Sequence, residues 1–171
     1  NEISCWRRFG AVKRDSLEYC VVMLLHEHAD FIYFVRIVSG TRNIREAIVE
    51  KDYWVTYVLH ALRNSEFKDA FIFKGGTSLS KGWNLIDRFS EDIDLLLVAG
   101  DLGTKAKKAR MKKIQEFVAA LPGLSFDESN QDNRAGNESR TSCFRYVRRA
   151  EGELGLLLPY IKLEMGFRGG N

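Results

Sequence analysis

The sequence predicts an α/β fold of the α+β kind, a small mixed β-sheet flanked by helices. Three observations predict it. Residues 71–73, 92–98 and 160–165 are short β-prone runs in which apolar side chains alternate with polar ones or follow one another without a break. Residues 41–64 and 101–121 repeat apolar side chains at three-to-four spacing, the period of a helix packed on one face. Turn residues, Gly75-Gly76 and Pro122-Gly123, punctuate the two. At 171 residues the chain can build one good core, or one domain and part of another. The net charge of +3 and a pI near 8.8 permit a nucleic-acid partner without arguing for one.

Residues 1–43 form an N-terminal helical segment. Its apolar stretch, 17–38, is interrupted by Glu27, Asp30 and Arg36, and no run approaches the ~20 residues that span a bilayer. No basic start, apolar centre and small-residue cleavage site follow one another as in a signal peptide. One or two buried helices and no membrane partner are expected. His26 and His28 are two apart, on different helix faces, with no acid or cysteine in register, so they read as exposed or satisfied histidines. Cys5, Cys20 and Cys143 lack metal-ligand spacing and fit idle thiols in a reducing cytoplasm.

Residues 41–64 read as one helix capped by Thr41, with Ile44, Ala47, Ile48, Val55, Val58, Leu59 and Leu62 on its apolar face. Glu50, Lys51 and Asp52 fall mid-helix. The plain reading is a solvated edge; the sharper one gives Lys51 to a phosphate or to a nearby acid pair. Residues 65–69 link to the central unit.

That unit, FIFKGGTSLSKGWNLIDRFSEDIDLLLV over residues 71–98, organises the chain. A strand stops at Gly75-Gly76, where the backbone can take dihedrals a side chain forbids. Thr77 and Ser78 stand where a helix cap would fall, and residues 79–86 continue at helical spacing. Asp92 and Asp94 then open a second strand. Residues two apart share a face, so both carboxylates point one way while Ile93 and Leu95 point into a core. Two adjacent carboxylates repel unless a cation lies between them, and Mg²⁺ (or Mn²⁺) takes carboxylate and phosphate oxygens. A glycine turn close by offers backbone N–H groups to a phosphate. Phosphate cradle, short helix and paired acids together suit nucleotidyl transfer. A Walker P-loop fits worse, because Lys74 precedes the glycines instead of following a longer loop. Lys81 and Arg88 flank the cradle, and either cation could meet a triphosphate. Arg88 could equally pair with Asp87 or Glu91.

Lys105, Lys107, Lys108, Arg110, Lys112 and Lys113 give the next helix, residues 101–121, a cationic face opposite Ile114, Phe117, Val118 and Leu121. A solvated face is the plain reading, and a contact for an RNA backbone the sharper one. Residues 125–140 are nearly devoid of apolar side chains and read as a mobile loop or a hairpin connection whose acids are solvated. Residues 141–149 alternate as a strand, with Cys143, Arg145 and Val147 on one face. In the last strand Ile161, Leu163 and Met165 share one face, and Lys162 and Glu164 the other.

The strings KGGTSLSKG (74–82) and RFSEDIDL (88–95), with EKDYWV (50–55) upstream, resemble the AbiEii/AbiGii toxin family, a branch of the DNA polymerase beta-like nucleotidyltransferase superfamily. The resemblance implies a polymerase-beta-like core over residues 44–171, with a further helical domain beyond it. It implies an enzyme that moves a nucleoside monophosphate from an NTP to an acceptor and releases pyrophosphate. It also implies a third carboxylate on a neighbouring strand, and Glu164 is the acid placed for it. The expected metal ligands and catalytic residues are thus Asp92, Asp94 and Glu164. The expected nucleotide contacts are Lys74, Gly75, Gly76, Thr77, Ser78, Lys81, Arg88 and Lys162. As a toxin of an abortive-infection pair the protein would act in the cytoplasm on an RNA acceptor, with transfer RNA the first choice. It would be opposed by an antitoxin encoded nearby that need not touch it. The rival readings are a small-molecule nucleotidyltransferase of the antibiotic-modifying type and a non-catalytic nucleotide-binding module.

Overall fold

The computed structural model describes residues 23–78, 81, 92–130 and 138–167. A short 3-10 turn, Leu25–Glu27, leads to α1 (Phe31–Arg42) and α2 (Glu46–Arg63). Then come β1 (Phe71–Lys74), the single turn α3 (Gly75–Thr77), β2 (Asp92–Leu97) and α4 (Thr104–Ala119). The chain closes with β3 (Leu124–Phe126), a 3-10 turn Glu128–Asn130, β4 (Ser139–Tyr146) and β5 (Ile161–Phe167). The strands form one mixed sheet in the order β1-β2-β5-β4-β3. β2 and β5 run parallel; the other neighbours are antiparallel. A parallel pair needs a long crossover, and α4 with the β3–β4 hairpin supplies it. The predicted α+β class is the observed one.

Alternation decides the two faces. Ile93, Leu95, Leu97, Ile161, Leu163, Met165 and Phe144 are buried against Trp54, Val55 and Val58 of α2 and Met111, Ile114 and Val118 of α4. Each such side chain contributes about 1.5–3 kcal/mol by leaving water. Phe31 and Val35 of α1 join the same core. The opposite face carries Asp92, Asp94, Lys162 and Glu164, each partly exposed.

Several expectations need correction. Residues 41–64 are not one helix capped by Thr41. α1 ends at Asn43, whose left-handed backbone (φ 53°) lets its N–H bond the Ser39 carbonyl, and α2 starts after Arg45. Asparagine tolerates that conformation as few residues do. Nor is the middle of α2 a solvated edge. Glu50 and Lys51 are fully buried. The Glu50 carboxylate accepts the backbone N–H groups of Arg149 (2.7 Å) and Ala150 (2.8 Å). Lys51 Nζ donates to the Leu158 carbonyl at 2.6 Å, so it holds the chain that leads into β5. A buried charge is tolerable only when hydrogen-bonded in this way. Of the two readings of the stretch after Pro122, the hairpin connection is the observed one: residues 124–126 pair antiparallel with β4. Asp127 there is buried, not solvated. It accepts from Ser129 (backbone N 3.2 Å, Oγ 2.6 Å), Asn130 Nδ2 (2.9 Å) and Arg145 Nε (2.8 Å). Those bonds hold its carboxyl well below the usual carboxylate range, the Ser129 bond most.

His26 is a core histidine. Its Nδ1 lies 2.8 Å from the Tyr53 hydroxyl and its ring 4.5 Å from that of Trp54. His28 is exposed beside Asp30. Cys143 is a buried free thiol, while Cys5 and Cys20 lie outside the described residues. Among the described residues no helix is long and apolar enough to cross a membrane.

Candidate active site

Register assembles the site. In the parallel pair Asp94 lies opposite Glu164 and Asp92 opposite Lys162. On the other side of β2, Lys74 of β1 lies opposite Asp94. On the other side of β5, Thr141 of β4 lies opposite Glu164 and Cys143 opposite Lys162. One row across four strands therefore reads Lys74, Asp94, Glu164, Thr141. The three expected carboxylates, separated by up to 72 positions in the chain, share one face of two adjacent strands.

The glycine turn closes on this row. Gly75 has φ +77°, a conformation that favours glycine, and a Cβ at this position would overlap the Asp94 carboxylate. The first glycine is required twice, by its dihedral and by the acid lying against it. The helical turn begins at Gly75 itself, with Lys74 before it, and not at Thr77 or Ser78 as the sequence suggested. Both hydroxyls clasp the backbone. Thr77 Oγ1 donates to the Asp92 carbonyl, and Ser78 Oγ to the Phe73 carbonyl at 3.1 Å. Thr77 thereby ties the cradle to the first residue of β2. Residues 79–80 and 82–91, Arg88 among them, lie outside the described residues. Lys81 is described. Its Nζ reaches Asp52 Oδ1 (2.6 Å) and Thr56 Oγ1 (3.0 Å) on α2, and so fastens the cradle segment to that helix.

Electrostatics within the row are those of crowded acids. Burial, and then the Glu164 charge, push the Asp94 carboxyl above its ordinary value. Lys162 Nζ sits 2.5 Å from Glu164 Oε1 and 3.8 Å from Asp92 Oδ2. The Glu164 contact raises the lysine above its usual value. A cation thus already lies between two of the three acids. The donor set, carboxylate oxygens only, fits a hard divalent ion in kind. Among the described residues no three acidic, histidine or cysteine side chains converge as a ready-made metal cage. Mg²⁺ needs no such cage, since it is commonly bound by one or two carboxylates, waters and substrate phosphates.

The basic run lies elsewhere. Met111, Ile114 and Val118 seat α4 on the core face, and Gln115 bonds Arg140 and Ser142 there. Lys105, Lys108, Lys112 and Lys113 are exposed on the outer side of that helix, across the sheet from the acids. Lys107 is held by Glu138 (2.8 Å), and Arg110 by the Val98 carbonyl (2.9 Å). Sequence reasoning missed the neighbours contributed by β4. The alternation of residues 141–149 is legible, but nothing local says that this strand pairs with β5 and so brings Thr141 and Cys143 beside Glu164 and Lys162.

The family described as "Nucleotidyl transferase AbiEii toxin, Type IV TA system" matches residues 57–170. Among solved structures the chain is similar to MenT4, a nucleotidyltransferase toxin from Mycobacterium tuberculosis H37Rv. The two are 21% identical with a TM-score of 0.49, over 80% of this chain and 42% of that one. The chain therefore spans less than half the length of MenT4. No curated protein matches it.

Proposed function

The chain belongs to the AbiEii nucleotidyltransferase toxin family, and from that premise we propose that it transfers a nucleoside monophosphate from an NTP to an RNA acceptor, transfer RNA in the first instance, with release of pyrophosphate. The observation that supports this most is the Asp94–Glu164 register beside Gly75. It joins a turn able to hold phosphates to acids able to handle a hydroxyl.

The roles follow from position. The backbone N–H groups of the Gly75–Gly76 turn face the β- and γ-phosphates, with Thr77 and Ser78 fixing the turn's shape. Lys74 and Lys162 supply positive charge on either side of Asp94, where negative charge develops during phosphoryl transfer. Lys81 braces the cradle through Asp52, and Arg88 is the remaining proposed nucleotide contact. Asp92, Asp94 and Glu164 would hold Mg²⁺ (or Mn²⁺), which when bound offsets charge on the phosphates and lowers the pKa of the attacking hydroxyl. Glu164, on the strand beside β4, takes the proton from that hydroxyl. The donor is GTP or a pyrimidine triphosphate. The cell biology that goes with the reading is a cytoplasmic toxin countered by an antitoxin encoded beside it.

A small-molecule acceptor is the second reading. One observation favours it: the α4 cations Lys105, Lys108, Lys112 and Lys113 lie across the sheet from the acids, so an RNA must be large enough to wrap the domain edge to use them. The test is transfer of label from NTPs, each supplied in turn with Mg²⁺ and total bacterial RNA. Transfer of α-label to RNA, abolished by Asp94→Ala, supports the reading. Transfer of γ-label makes the protein a phosphotransferase. Label that moves only to small molecules selects the second reading.

A further inference from the structure

The open face of the sheet extends past Glu164 onto β4, and it ends there on an oriented arginine. Arg145 is two residues beyond Cys143, and Cys143 lies opposite Lys162. Its side chain therefore shares the face with Lys162 and Glu164. It is 65% exposed, while its Nε is held at 2.8 Å by Asp127, which is 5% exposed. Asp127 is itself fixed by Ser129 and Asn130 and by its own N–H on the Cys143 carbonyl at 2.8 Å. Long exposed arginines are usually free to sample many rotamers. This one has its inner edge pinned by a buried acid, and its Nη1 and Nη2 have no hydrogen-bond partner among the described residues. A pinned guanidinium with its outer nitrogens open among the described residues is a preorganised fork for a phosphate.

Chemistry assigns the phosphate. In phosphoryl transfer the attacking and leaving oxygens lie roughly in line. The Gly75 turn is on the β1 side of Asp94, so the pyrophosphate departs toward β1. The attacking hydroxyl must then come from the opposite side, over β5 and β4, where Glu164 and Arg145 lie. We propose that the acceptor enters across β4 and that Arg145, held by Asp127, grips a phosphodiester of that acceptor one or two nucleotides from the attacking hydroxyl. Arg145 is a binding and positioning residue of the acceptor path. The α4 cations, across the sheet, are not part of that path. The inference rests on the nucleotidyl-transfer reading above and deepens it.

The test is equilibrium binding by the full chain without metal or NTP. Labelled unfractionated bacterial tRNA is titrated over a series of salt concentrations against wild type, Arg145→Gln and Arg145→Lys. A parallel titration follows Mg²⁺ with each NTP. Arg145→Gln is expected to weaken tRNA binding by about three- to tenfold. It should also reduce the slope of log K against log salt by about 0.7–1, the signature of one lost phosphate contact. Arg145→Lys should restore the slope and only part of the affinity, since a lysine keeps the charge and loses the fork. NTP affinity should stay at its wild-type value, and the thermal midpoint should drop by only a few degrees, because Ser129 and Asn130 still bond Asp127. Unchanged tRNA binding in Arg145→Gln overturns the proposal, as does a wild type that does not bind tRNA. A loss confined to NTP affinity overturns it too, because the fork would then serve the triphosphate. The underlying reading fails by a different result, α-label transfer that survives Asp94→Ala.

Discussion

Asp94 and Glu164 lie directly opposite each other on the parallel strands β2 and β5, 70 positions apart in the chain. In-register parallel pairing puts their carboxyls on one face about one strand spacing, ~4.8 Å, apart at the backbone. A one-residue slip would turn Glu164 into the core and lift Leu163 or Met165 out of it. The buried side chains of β5 therefore enforce the acid geometry.

Gly75→Ala tests how tightly the turn closes on Asp94. The left-handed backbone costs a non-glycine residue about 1–2 kcal/mol, and the new Cβ overlaps the Asp94 carboxylate. Nucleotidyl transfer should fall by about 100-fold or more, since a displacement near 1 Å is enough for that. The thermal midpoint should drop only a few degrees. An alanine variant with near wild-type transfer rates would show that Asp94 is not fixed by the turn.

Thr77→Val removes the hydroxyl that donates to the Asp92 carbonyl and leaves a similar volume. Loss of one such bond costs about 1–2 kcal/mol, and Thr77→Ser should recover most of it. Urea unfolding of the two variants reads this directly. A valine variant as stable as wild type would show that the hydroxyl's bond to the Asp92 carbonyl contributes nothing to stability.

Glu50→Ala leaves two N–H groups, of Arg149 and Ala150, without their buried acceptor. The expected loss is about 3 kcal/mol. Because Glu50 and Lys51 together hold the chain that enters β5, the variant should also open that strand to hydrogen exchange before β1 and β2. Uniform exchange across the sheet would remove Glu50 from that role.

His26 sets a pH dependence. Burial holds its imidazole below the ordinary value, so the unfolded chain binds its proton first as pH falls. Stability is then fully present above about 6.5. It declines as pH drops through that value and levels off below the lowered folded value. Unfolding midpoints between pH 8 and pH 5 should show this slope in wild type and less of it in His26→Gln. Identical slopes in the two proteins would place the dependence on other groups.

The sequence by itself determined the fold class, the acid-bearing strands and the turn before them, because these rest on local rules. Alternation sets which side chains share a face, and Gly75 marks a backbone that no other residue would tolerate so readily. The longer strings 74–82 and 88–95 pointed to the family, which the match over residues 57–170 then bore out. Only the tertiary structure decided which strands are neighbours. Nothing local to residues 92–97 or 161–167 says that they run parallel and side by side, or that β4 lies next. That pairing follows from how the apolar faces of α2 and α4 pack beneath the sheet. The same reason hid Glu50, Lys51 and Asp127. Charged residues read as solvated in sequence, whereas the backbone groups of Arg149, Ala150 and Leu158 that meet Glu50 and Lys51, and the Ser129, Asn130 and Arg145 donors that meet the Asp127 carboxylate, make their burial tolerable.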